Sequence, residues 1–363
     1  MKITIIAGAR PNFMKIAPII HEIQKQQQLG KPITFRLVHT GQHYDKNLSD
    51  TFFEELNIPF PNINLEVKSG TQAEQTGAIM TAFEKELETN PTDLVLVVGD
   101  VTSTMACTIV AKKAHIKVAH VEAGIRSGDM KMPEEINRIV TDSITDYFFT
   151  TSVLAGKNLI QSGIESNRIF FVGNVMIDTL LGNINRIQQP DFWTNLQLKE
   201  KEYYVLTLHR PSNVDAEKQL KKLIHTIVEN CNGKPIIFPV HPRTKKLLEG
   251  LNLNFDNLHY VNPQGYLSFI YLVKNATAVL TDSGGITEEA TVLNVPCITF
   301  RDTTERPETC TLGTNVLVGN DLIKINEAFT KLHGNTWKQT QIPELWDGKA
   351  SKRIIDKILS LYA

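Results

Sequence analysis

The sequence has 363 residues, 42% of them hydrophobic and 21% charged. That length exceeds what one hydrophobic core ordinarily serves, so two domains of usual size are the first expectation. Lys and Arg number 38 against 39 Asp and Glu, a net charge of -1. This leaves no broad field to draw nucleic acid or an anionic membrane, and any anionic ligand must be met by local groups.

Short β-branched runs alternate with helix-like segments along the whole chain, the pattern of parallel βαβ units. The opening apolar run is too brief for a signal segment, and 2–7 is predicted as a buried strand. Strands predicted over 34–40, 94–98, 117–121, 147–150 and 168–172 complete a first set of six. A second set of six is predicted over 203–208, 235–240, 258–261, 278–281, 297–300 and 315–318. The fold class is therefore α/β and doubly wound, with two Rossmann-like domains. A break at Gly173-Asn174 divides the chain into an N-terminal domain, 1–173, and a C-terminal domain, 174–349. Ile354, Ile355, Ile358 and Leu359 stand at helical spacing, so a helix over 350–363 is expected to pack back on the first domain.

Cys107, Cys231, Cys297 and Cys310 show neither CxxC nor Cys/His spacing, which argues against a disulfide framework or metal knuckle and suits a reducing cytoplasm. His39 and His43 are four apart but flank Gly41 in a loop. HExxH and DxD are absent, and no metal is expected. No GxGxxG or P-loop is present, and no apolar run approaches the roughly 20 residues that cross a bilayer. Ser283 lacks the GxSxG elbow of a serine hydrolase.

In open α/β sheets ligands bind outside the carboxyl ends of the strands, so the polar residues after each apolar run are the ones to collect. Gly8-Ala9-Arg10-Pro11-Asn12 turns into a helix carrying Arg10 and Lys15, cations suited to phosphate oxygens, although a turn also accommodates them on the surface. Gly99-Asp100 puts a carboxylate at the tip of a central strand, and His120-Val121-Glu122 repeats the arrangement. Pro133-Glu134-Glu135 adds a third acid at a helix start, with the cation Arg138 one turn later. Singly, such acids more often cap a helix or answer its dipole; three at one sheet edge point to proton transfer. The second half supplies His209 and His241 at strand ends, either of which also fits a structural role. Thr281-Asp282-Ser283-Gly284-Gly285 is a strand, a small-residue turn and a helix start, a nest for a diphosphate. Glu289 lies one turn further on, and Arg301 and Arg306 follow the next strand.

In this order, Gly8-Ala9-Arg10-Pro11, Gly99-Asp100, His120-Val121-Glu122-Ala123-Gly124, Pro133-Glu134-Glu135-Ile136-Asn137-Arg138, His209-Arg210, Thr281-Asp282-Ser283-Gly284-Gly285 and Arg301-Asp302-Thr303-Thr304-Glu305-Arg306 resemble the non-hydrolysing UDP-N-acetylglucosamine 2-epimerases. The match covers nearly the whole chain. It implies a glycosyltransferase B-type fold with an interdomain active-site cleft, and reversible inversion at C2 of UDP-GlcNAc to UDP-ManNAc without a cofactor. UDP leaves C1, 2-acetamidoglucal forms, and UDP adds back after protonation of the opposite face. By the same match Asp100, Glu122 and Glu135 are the catalytic carboxylates, with removal and return of the proton unassigned among them. His209 meets the departing diphosphate, and Arg10, Lys15 and Arg306 neutralise it. Ser283, Gly284 and Gly285 hold phosphate, Glu289 holds ribose, and Phe269 either stacks on uracil or serves the core. Arg138 and His241 join the substrate-binding set, and a homodimer is implied.

The chain departs from substrate-activated members, which read GTRPE, QHRxM and HRRE, at Asn12, Tyr44-Asp45 and Pro211-Ser212. That leaves room for a modified substrate such as a 2,3-diacetamido sugar nucleotide. A glycosyltransferase of the same fold and a silent nucleotide-sugar sensor are the competing readings, and the three acids count against both.

Overall fold

Leu94–Val98 is apolar and buried along its length, so it cannot belong to a sheet with a solvated face. The structure, a computed structural model, describes residues 1–41, 53–210, 213, 217–240, 248 and 253–363, with Arg10 described in its backbone only. The chain separates into two compact units, Met1–Gly182 with Glu344–Ala363, and Asn183–Pro343.

The first unit holds β1 (Lys2–Ala7), β2 (Thr34–His39), β3 (Ile63–Asn64), β4 (Leu94–Val98), β5 (Lys117–Val121), β6 (Tyr147–Thr150) and β7 (Ile169–Phe171). They form one parallel sheet in the order β3-β2-β1-β4-β5-β6-β7. The two-residue β3 is the one described strand of this sheet that the sequence pattern does not predict. Among the described residues α1 (Arg10–Gln28), α2 (Gln72–Thr89), α3 (Thr102–Lys113), α4 (Pro133–Ile144) and α5 (Val153–Gln161) connect successive strands, and α6 (Val175–Asn183) follows β7. Ile6, Val38, Val95, Val97 and Val118 of the sheet pack on Phe83 and Leu87 of α2 and Cys107 and Val110 of α3. Each such side chain contributes roughly 1.5–3 kcal/mol by leaving water.

The second unit repeats the plan with β8 (Tyr204–Thr207), β9 (Ile236–Pro239), β10 (Leu258–Val261), β11 (Ala278–Thr281), β12 (Cys297–Thr299) and β13 (Asn315–Leu317), parallel in the order β10-β9-β8-β11-β12-β13. Its helices are α7 (Phe192–Asn195), α8 (Glu217–Asn230), α9 (Tyr266–Asn275), α10 (Gly284–Val292), α11 (Pro307–Thr311) and α12 (Leu322–His333). Leu220, Ile224 and Phe329 cover one sheet face, and Leu272, Val273 and Ala290 the other.

The last helix, α13 (Ala350–Leu361), packs on α1 within the first unit. Asp178 of α6 caps it, accepting from the Ala350 and Ser351 N–H groups and the Ser351 hydroxyl at 3.0, 2.7 and 2.6 Å. Its own Ile354, Ile355 and Ile358 are buried.

Candidate active site

Each sheet reverses its strand order at one place, between β1 and β4 in the first unit and between β8 and β11 in the second. Loops leaving neighbouring strands diverge there and open a crevice at the carboxyl ends. In the first unit Asn12 fixes one wall. Its Oδ1 accepts from the Gly8 and Ala9 N–H groups at 3.1 and 2.9 Å, and its Nδ2 donates to the Val98 carbonyl at 3.1 Å. The start of α1 is thereby tied to the end of β4.

One turn later Lys15 places Nζ 2.6 Å from Glu122 Oε2. Glu122 follows β5 at φ +68°, a left-handed conformation that a non-glycine residue holds only at some cost in strain. Gly99 turns at φ +67°, the left-handed region that favours glycine, beside Lys15 Nζ. Asp100 follows, and its Oδ2 accepts from Arg138 Nε and Nη2 at 3.0 and 2.6 Å. The third nitrogen of that guanidinium donates to Glu135 Oε2 at 2.7 Å. Glu135 also accepts from the Ser127 and Gly128 N–H groups at 2.9 and 3.0 Å. Burial pushes the Glu135 carboxyl up, but these N–H groups and Arg138 outweigh it and hold it below its ordinary value. Side-chain exposure is 2% for Glu122 and Glu135 and 31% for Asp100, so Asp100 is the acid most open to a ligand.

The strand-end turns rest on a second layer that sequence reasoning did not assign. His120 is fully buried, with Nδ1 2.8 Å from Asp142 Oδ1 and Nε2 2.8 Å from the Gly99 carbonyl. Asp142 Oδ2 accepts from Arg126 Nη1 at 2.6 Å and from the Gly124 N–H at 3.1 Å. Both nitrogens of His120 are thus engaged, so the buried ring ties the Gly99 turn to α4. Burial works against the Asp142 charge, yet His120 and Arg126 hold its carboxyl below the ordinary range. Glu135, Arg138 and Asp142 lie three and four residues apart, so one face of α4 braces both acid-bearing turns.

In the second unit His209 follows β8 and Asp282 follows β11, one on each side of the switch point, with Nδ1 and Oδ1 2.9 Å apart. Ser283 precedes α10, whose first N–H groups belong to Gly284 and Gly285; a Cβ at Gly285 would meet nothing within 4 Å. Glu289 is enclosed beside Tyr266. Burial, opposed by the Tyr266 hydroxyl and aided by Glu288, pushes its carboxyl up to about 8. Arg306 pairs with Glu288, and Arg301 Nη2 lies 2.7 Å from Glu305 Oε1. Phe269 is half-buried against the core beneath β8 and β11. His241, the Arg10 side chain, 42–45 and 211–212 lie outside what the structure describes.

The structure thus brings Lys15, Asp100, Glu122, Glu135 and Arg138 together in the first unit. In the second it gathers His209 with the turn Ser283-Gly284-Gly285. Among the described residues no group of three or more His, Cys, Asp or Glu is placed to hold a metal ion, and no helix is long and apolar enough to cross a membrane.

Paired doubly wound units, one ending in clustered acids and the other in an open glycine turn at a helix start, define a nucleotide-sugar enzyme of the glycosyltransferase B-type fold. The family model described as UDP-N-acetylglucosamine 2-epimerase matches residues 24–359. A UDP-N-acetylglucosamine 2-epimerase of Methanocaldococcus jannaschii is 44% identical, with 98% of each chain covered. A UDP-2,3-diacetamido-2,3-dideoxy-D-glucuronate 2-epimerase of Pseudomonas aeruginosa is 39% identical over 99% of this chain and 100% of its own. A crystal structure of the M. jannaschii UDP-GlcNAc 2-epimerase in complex with UDP-GlcNAc and UDP superimposes with a TM-score of 0.89 at 42% identity, covering 100% of both chains. The chain belongs to the UDP-N-acetylglucosamine 2-epimerase family.

Proposed function

We propose that this protein interconverts UDP-N-acetylglucosamine and UDP-N-acetylmannosamine by elimination and re-addition of UDP. The observation that carries the reading is the gathering of Asp100, Glu122 and Glu135, each held by a cation or backbone N–H groups, at the ends of β4 and β5 and the start of α4. A C2 hydrogen beside an ordinary acetal is not acidic. Breaking the C1–O bond first makes C1 electron-poor and acidifies C2. A carboxylate then takes the proton, leaving 2-acetamidoglucal and UDP. Return of a proton to the opposite face of C2, with UDP adding at C1, completes the inversion. Acid and base groups on two faces of the sugar are required, and three carboxylates supply them.

In this account His209, Lys15, Arg10 and Arg306 meet the charge on the departing diphosphate. Ser283, Gly284 and Gly285 cradle phosphate, Glu289 takes the ribose, and Phe269, Arg138 and His241 complete the substrate contacts. The protein works as a cytoplasmic homodimer without cofactor. Four free cysteines agree with a reducing compartment, and exposed Ile136, Ile139, Val153, Leu154 and Ile160 offer apolar area for a second copy.

A second reading, epimerisation of a UDP-2,3-diacetamido sugar, is favoured by the 39% identity to the Pseudomonas enzyme that carries that name. Mass and NMR analysis of products from a panel of UDP-HexNAc sugars decides between them, and a chain that epimerises none of the panel contradicts both. Asp100→Asn is expected to abolish turnover with UDP affinity within a few-fold. Normal turnover in that variant would remove Asp100 from the mechanism.

A further inference from the structure

The two ring nitrogens of His209 have unlike surroundings. Nδ1 lies 2.9 Å from Asp282 Oδ1, whereas no described residue hydrogen-bonds Nε2, and the side chain is 55% exposed. Asp282 is fully buried. Its carboxylate also accepts from the His209 N–H at 3.1 Å, the Arg210 N–H at 2.9 Å and Asn213 Nδ2 at 3.0 Å. Asn213 is buried in turn, its Nδ2 also donating to the Phe300 carbonyl and its Oδ1 accepting from Asn320 Nδ2, both at 3.1 Å. Every neighbour of the carboxylate that these contacts bring is a donor, so the carboxylate is left as an acceptor and Nδ1 has to carry the hydrogen between them.

We propose that Asp282 is a positioning residue for His209: it fixes the Nδ1–H tautomer and the ring plane, and so presents Nε2 to the departing diphosphate. This rests on the placement of His209 at the diphosphate in the reading above. When both ring nitrogens carry hydrogen, Nδ1–H is met by the carboxylate and Nε2–H is left to donate to a diphosphate oxygen as the C1–O bond breaks. No proton needs to leave the pair. The carboxylate balances the ring while charge grows on the leaving group, and the same contact operates in reverse when UDP adds back. The two residues come from strands 73 positions apart in sequence that are neighbours in the sheet, with Thr207 paired to Thr281.

A mere turn-capping role for Asp282 would act through the backbone N–H groups of His209 and Arg210, and the test separates the two. The tautomer is read first by NMR on the wild-type protein labelled with 15N-histidine, with UDP bound. With the ring in its neutral form the signals are expected to show hydrogen on Nδ1 and none on Nε2; the opposite tautomer overturns the proposal, whether or not the protein proves to be an epimerase. Asp282→Asn keeps an oxygen for the backbone N–H groups but removes the charge. Epimerisation kcat is expected to fall about a hundred- to ten-thousand-fold, with KM for UDP-GlcNAc within a few-fold. Paired with His209→Gln, it is expected to add no further loss, because both remove one unit. An unchanged kcat, or losses that multiply in the double variant, assigns Asp282 to the turn alone. Should Asp282→Asn fail to fold, the wild-type tautomer still decides. A wild-type protein that epimerises no UDP sugar but shows the Nδ1–H form leaves the pair intact and refutes the reaction instead.

Discussion

Arg138→Met removes the one guanidinium that Asp100 and Glu135 share while keeping most of the side-chain stem. Breaking a buried ion pair from one side costs about 3–5 kcal/mol. Glu135 retains two backbone N–H bonds, from Ser127 and Gly128, which places its arm at the lower end, about 3 kcal/mol. The Asp100 arm is a third exposed and adds at most about 1 kcal/mol. For a unit of this size the sum corresponds to a fall in Tm of roughly 6–16 °C. The sign with pH follows from Glu135, whose folded carboxyl is held below its unfolded value. Its contribution is complete above the unfolded value and is lost as pH falls through the folded one. The gap between wild type and variant is therefore widest near neutrality and narrows on acidification below about pH 4. Thermal unfolding followed by circular dichroism across that range checks both statements. An unchanged Tm, or a gap constant from pH 7 to pH 3, refutes the assignment of Arg138 as the shared clamp.

Gly124→Ala is expected to destabilise by more than about 2 kcal/mol, since it combines a left-handed φ of +77° with a Cβ driven into the Ala155 carbonyl oxygen. A urea midpoint equal to wild type would contradict this. Asp142→Asn leaves His120 and Arg126 sharing a neutral partner, with an expected loss of about 3–5 kcal/mol in chemical denaturation. The same variant is expected to lower kcat, because the turns bearing Asp100 and Glu122 both rest on that carboxylate; unchanged stability and turnover together would rule out the bracing role.

Most strands were readable because each is a short β-branched or aliphatic run whose partners on both sides of the sheet are apolar. β3 was not, since Ile63–Asn64 is set by pairing with Val38 and His39 and carries no pattern of its own. Strand ends also announced Asp100, Glu122 and His209, because a charged residue directly after a buried run has few places to go but the crevice. The supports behind them were silent. Asp142 stands 22 residues from the His120 it holds, and a polar face at spacing 135, 138, 142 looks the same in sequence whether it meets water or a buried network. Asp282 was visible as part of the small-residue turn, yet its carboxylate faces back toward β8, a relation fixed only by the strand order. Glu289 shows the same limit: one turn into a helix it could be solvated, and only packing reveals that it is enclosed with Tyr266.

The central claim is proton exchange at C2 through cleavage of the bond from C1 to UDP. Incubation of the purified protein with UDP-GlcNAc in deuterated water, with no acceptor present, tests it most directly. The account requires deuterium at C2 in both recovered epimers; sugar nucleotide that keeps its C2 protium, with UDP appearing only once an acceptor is supplied, would show a transferase in place of an epimerase.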